Sequence, residues 1–208
     1  ASAGTSRAEQ RSAAPRPRAA LPPEPRRTSV AGMIRPCSVL LLVLVAACAS
    51  APTAPTASTV DGDAFLKLGI PHSAVAPLPG VFCSGQMTPA QFDGLRELGI
   101  ARVISLRAAD EDGTGWEEQR ARELGIEFVR LEVGGADDLT DANVERLGAA
   151  LAPQRPTLVT CGSSNRVGAL LAVKAYRDGA APEQALALGK QCGLTRLEPA
   201  VRARLGLQ

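Results

Sequence analysis

The chain has 208 residues, 45% of them apolar, and a formal charge of +2, which gives room for one domain of ordinary size plus appendages. Seven Arg against Glu9 and Glu24 before Cys48 put about +5 there and leave about −3 on the rest, so the body of the chain lacks the basic footprint that nucleic-acid binding needs. Five cysteines (Cys37, Cys48, Cys83, Cys161, Cys192) without C-x-x-C spacing and the single His72 are too few and too scattered for a zinc cluster, and no metal or cofactor is expected.

Residues 1–32 are rich in Ala, Arg, Pro and Ser without apolar periodicity, so they are expected to form a disordered or non-native extension. From Met33 the pattern resembles a bacterial export signal spanning residues 33–47, with Arg35 as its positive region and Val39 to Ala47 as its apolar run. That run falls short of the ~20 apolar residues a spanning helix needs. Its end, Val45-Ala46-Ala47-Cys48, resembles the lipobox of lipoproteins, which implies lipidation at Cys48. Acyl chains there would hold the protein at a membrane surface facing the periplasm. Ala49 after the cysteine resembles outer-membrane sorting in a Gram-negative host, and residues 48–60 read as a tether.

A folded α/β domain is expected over residues 61–208. Asp63 to Leu68 reads as a short helix before the Pro-punctuated segment Pro71 to Gly80, and Val81-Phe82-Cys83 as a first strand. Thr88-Pro89 gives an N-cap and a proline at the first helical position, and Phe92, Leu95 and Leu98 recur at helical spacing until Gly99. Ala101 to Leu106 is a β-branched strand, Trp116 to Leu124 a helix stopped by Gly125, and Ile126 to Val133 a further strand. Thr140 caps a helix through Leu151, with Pro156 as breaker. Thr157 to Thr160 is then a buried strand, Arg166 to Arg177 a helix, and Pro182 to Gly189 and Leu197 to Leu205 the closing helices. This alternation implies a three-layer αβα fold around a mainly parallel sheet of four or five strands, with ligands beyond the carboxyl ends of the strands.

Cys161 stands at such an end, and Arg166 follows as the next helix starts, with small residues between them. A loop of this composition can curl so that several N–H groups converge on one anion, aided by the helix dipole. The same field stabilises a thiolate, and the planar fork of Arg166 suits two phosphate oxygens. Cys161 and Arg166 are therefore the catalytic candidates, with Gly162, Ser163, Ser164, Asn165, Val167 and Gly168 as the substrate-binding ones.

Gly85-Gln86, Val103 to Arg107, Gly125 to Val129 and Cys161 to Gly168 together resemble the bacterial phosphatase-like domain of beta-lactamase-hydrolase-like proteins. That domain is a branch of the tyrosine and dual-specificity phosphatase superfamily. The resemblance implies a dual-specificity-phosphatase-like fold and hydrolysis of a phosphomonoester, on a small molecule or a phosphoprotein, through a phosphocysteine. It also implies a general-acid Asp, for which Asp137 is the first candidate and Asp138 the second. Departures stand beside the matches: four residues separate Cys161 from Arg166 rather than the usual five, Thr160 replaces a histidine, and Val167 replaces a hydroxyl residue.

Two alternatives stay open. A rhodanese-like sulfurtransferase would carry a persulfide on Cys161, and a non-catalytic lipoprotein would only bind an anionic ligand. Cys83 and Cys192 read as core thiols or as a pair after export, and His72 as a surface residue. Trp116 reads as an anchor for its helix, and the acidic segment Asp110 to Gly115 is placed to overhang the site. Gln86 could face a ligand or make a turn contact, and Arg107 could attract an anion or form a surface ion pair.

Overall fold

Capping chemistry sets most element boundaries in the computed structural model, which describes residues 59–152 and 154–208. The expected leader, Cys48 and most of the tether lie outside the described residues. Helix α1 (Gly62–Lys67) begins where the Asp61 side chain accepts from Asp63 N–H. Helix α2 (Pro89–Glu97) begins with a reciprocal capping box between Thr88 and Gln91, which satisfies donors that a helix start otherwise leaves open. Helix α3 (Glu117–Leu124) ends on left-handed Gly125, and α4 (Asp141–Leu151) starts on the Thr140 hydroxyl. The α4 helix has already ended at Ala152, so Pro156 is not what breaks it.

Five strands form one sheet in the order β1-β2-β5-β3-β4: β1 (Ala74–Val75), β2 (Val81–Ser84), β3 (Arg102–Ser105), β4 (Glu127–Arg130) and β5 (Thr157–Thr160). All pairings are parallel except β1 with β2. The central strand β5 is hydrogen-bonded on both sides, with Val159 in register with Cys83 and Ile104. Strand β1 falls in the segment read as Pro-punctuated connection, and β4 is shorter than its apolar pattern suggests.

Alternation along the strands sorts their side chains into two cores, as a period of two requires. Phe82, Val103 and Leu158 face a cluster with Phe65 of α1, Phe92 and Leu95 of α2, and Ala121 of α3. Cys83, Ile104 and Val159 face the other, with Val144 and Leu147 of α4 and residues of α5 (Asn165–Arg177), α6 (Pro182–Gln191) and α7 (Glu198–Leu205). The result is the three-layer α/β architecture expected from the sequence. Trp116 packs edge-on against Phe92, with centroids 5.4 Å apart, so it anchors α3 to α2.

The tightest helix contact lies directly behind the Cys161 loop. A Cβ at Gly168 of α5 would sit 2.4 Å from both the Gly189 carbonyl and the Leu194 amide, and only glycine fits that approach. Val167 is fully buried beside it. Neither residue is in the lining of the cleft described below; Gly168 lets α5 close against α6.

Candidate active site

The parallel strands β2, β3 and β5 all end on one side, and the Cys161–Arg166 loop crosses that side. Thr160 ends β5, and its hydroxyl donates to the Gly85 carbonyl at 2.9 Å, joining the ends of β5 and β2. Gln86 N–H donates to the Gly162 carbonyl at 3.1 Å, and the Gln86 amide packs where a Gly113 side chain would otherwise stand. Gln86 thus props the loop and makes a turn contact.

Ser164 is the hinge of the loop. It adopts φ +60 and ψ −6 at the N-terminal cap of α5, a left-handed conformation that costs a non-glycine residue about 1 kcal/mol or more. Its hydroxyl donates to the Cys192 carbonyl at 2.9 Å, which holds the turn from behind. The Ser164 hydroxyl therefore points away from the cleft, which leaves its backbone as the part of the residue that faces the loop's centre. Left-handed Ser164 followed by helical Asn165 is the backbone pattern of an anion-binding nest. The N–H groups of Gly162 and Ser163 have no carbonyl partner among the described residues, and the first-turn amides of α5 are open by helix geometry.

A cleft of about 620 Å³ opens over this loop, lined by Glu111, Gly134, Gly162, Asn165, Arg166 and Arg196 among others, Ser163 and Gly135 included. Cys161 is not in that lining: it is buried, 1% exposed, next to Gly162 and near enough to Arg166 for its sulfur to act on the guanidinium. The structure thus brings together Cys161, Gly162, Ser163, Asn165 and Arg166. Asp137 is not brought in: it is exposed on the 3-10 turn Ala136–Asp138, although its neighbour Gly135 lines the cleft. Asp138 accepts from Gly134 N–H at 2.6 Å, so it braces the loop. A smaller cleft lies at the opposite strand ends, near Val81 and Thr157.

The residue that sequence reasoning did not single out is Glu111, in the acidic segment expected to overhang the site. Arg166 Nη1 donates to its Oε1 at 2.7 Å and Nη2 to its Oε2 at 2.9 Å. Arg107 Nε and the Ala108 amide supply the remaining donors, at 3.1 and 3.0 Å. Arg107 also donates from Nη2 to the Asp112 carbonyl, so it forms an ion pair and a loop brace. The Arg166 contact first, then Arg107 and Ala108, hold the Glu111 carboxyl at a pKa of about 2 against an opposing desolvation effect. A carboxyl that acidic stays ionised and cannot donate a proton at neutral pH.

Arg166 Nη1 also donates to the Val133 carbonyl at 3.0 Å, so three of its five N–H donors are spoken for. Those left are Nε–H and the second Nη2–H, on one edge of the guanidinium, the shape that fits two oxygens of a tetrahedral anion. Glu111 raises the pKa of Arg166 first, and the nearby Cys161 sulfur adds to that effect. Behind the loop, Cys83, Cys161 and Cys192 are free and buried. Contact with Cys192 and then burial push the Cys83 thiol well up, and no disulfide joins the pair.

The fold is shared with solved structures of proteins named as phosphatases. A proposed phosphatase of the DUF442 group from Shewanella putrefaciens superposes with a TM-score of 0.54 at 20% identity, covering 68% of this chain and 95% of that one. A proposed phosphatase from Neisseria meningitidis gives 0.52 at 19%, with coverages of 60% and 92%. Tk-PTP in its active form gives 0.51 at 16%, with coverages of 65% and 96%. No family model matches the chain, and no curated protein matches it.

Proposed function

We propose that the domain is a cysteine-dependent phosphatase-like hydrolase that cleaves a phosphomonoester through a phosphocysteine. The observation that carries this reading is the Nε/Nη2 edge of Arg166, left without a hydrogen-bond partner among the described residues by the clamp to Glu111, at the end of a loop in which the Gly162 and Ser163 amides have no carbonyl partner among the described residues. The Cys161 sulfur attacks phosphorus, the P–O ester bond breaks with its electron pair going to the leaving oxygen, and water then cleaves the S–P bond to release phosphate. Loop amides and Arg166 take up the charge on the equatorial oxygens in both steps. Asp137, exposed on the turn that follows the cleft-lining Gly135, is the proposed proton donor for the leaving oxygen.

Resemblance in fold to proteins named as phosphatases supports this reading over the rhodanese alternative, in which Cys161 would take a sulfur atom from thiosulfate and release sulfite. Parallel assays decide: the full chain is expected to release phosphate from an aryl phosphate, whose leaving group needs little protonation, and to form no thiocyanate from thiosulfate and cyanide. Thiocyanate formation without phosphate release would reverse the choice. Cys48 is proposed as an acylated anchor that places the domain at a periplasmic membrane surface. In a Gram-negative host the protein is then expected to fractionate with outer membranes, and a Cys48→Ala chain that still does so would remove the anchor.

A further inference from the structure

Among the charged residues lining the cleft, Glu111 and Arg166 neutralise each other, whereas Arg196 has no ion-pair or hydrogen-bond partner among the described residues. Its position is fixed by its backbone on both sides. The buried Asn165 carboxamide oxygen accepts from Thr195 N–H at 2.8 Å and from Leu197 N–H at 3.2 Å, with the Thr195 hydroxyl also at 3.2 Å. Asn165 is itself the first residue of α5, one position before Arg166. One carboxamide therefore ties the segment that carries Arg196 to the helix that carries Arg166, and sets the two guanidinium groups in one cleft.

A monoanion held by the loop and by Arg166 leaves this second cation unused. Building on the phosphatase reading above, we propose that Arg196 binds a second anionic group of the substrate, so that the preferred substrates are small phosphoesters with a further phosphate or carboxylate. Arg196 determines specificity, and Asn165 positions it. A charge-assisted contact of a guanidinium with such a group changes affinity by about tenfold or more.

The test measures binding in the full chain with Cys161→Ser, so that turnover does not enter. The probes are inorganic phosphate, pyrophosphate and phosphonoacetate, the last two supplying a phosphate or a carboxylate as second group. Adding Arg196→Ala is expected to weaken pyrophosphate or phosphonoacetate binding about tenfold more than it weakens phosphate binding. Asn165→Ala is expected to reproduce that selective loss with Arg196 still present. Equal losses on all three probes, or none, would overturn the proposal. The relative loss on the two larger probes tells whether phosphate or carboxylate is the second group. Phosphate release from phenyl phosphate by the unmodified chain reports on the phosphatase reading separately: its failure alongside selective binding leaves Arg196 with its role and removes the chemistry.

Discussion

Cys161→Ser is expected to lower phosphate release from an aryl phosphate by at least about a thousandfold while leaving phosphate binding in place. In the proposed mechanism the sulfur is the attacking atom, and a serine hydroxyl is a far weaker nucleophile than a cysteine at the same position. Sterically the exchange is mild, because oxygen is smaller than the sulfur it replaces in a site that is 1% exposed. The amides of Gly162 and Ser163 and the Glu111–Arg166 pair do not depend on the sulfur. Initial rates and phosphate binding should therefore separate: a near-normal rate would exclude Cys161 as nucleophile. Loss of both, together with a lowered melting temperature, would make it a packing residue.

Local chemistry is what the sequence displays well. Thr88-Pro89, Thr140 and Gly125 act within one helical turn of themselves, and each marks a boundary found in the structure. The same holds for the alternation that divides Phe82, Val103 and Leu158 from Cys83, Ile104 and Val159. Strand β1 has only two residues, too few to show a period of two, and it exists because β2 offers an unpaired edge. The site divides along the same line. The spacing of Cys161 and Arg166 is a local fact, and so is the small-residue loop between them. Glu111 stands 55 positions before Arg166 and Asn165 stands 30 before Thr195, so their pairings arise only when the chain folds. Ser164, Val167 and Gly168 lie inside the loop pattern that the sequence displays. The Ser164 hydroxyl and the Val167 side chain are buried, and Gly168 has no room for a Cβ, because the end of α6 packs directly behind the loop, and the sequence does not show how close that helix comes.

Glu111→Gln separates holding Arg166 from charging the cleft, because the two roles predict opposite effects on binding. Removing a carboxylate makes the cleft more positive, which favours an incoming phosphate. It also frees the guanidinium from a two-bond clamp, and misplacement of a group by about 1 Å can cost on the order of a hundredfold in rate. Orientation is the larger effect, so kcat is expected to fall about 10- to 100-fold while KM stays level or drops. A second readout is stability against pH. The Glu111 carboxyl titrates near 2 in the folded chain against an ordinary 4.5, so its contribution is complete above 4.5 and is lost as pH falls through about 2. With the side chain 31% exposed, solvent screening reduces that contribution to the order of 2 kcal/mol. Denaturant midpoints between pH 2 and 7 should therefore fall more steeply below 4.5 in the native chain than in the Glu111→Gln variant. Parallel curves with unchanged kcat would mean that Arg166 keeps its orientation through Val133 and the loop alone.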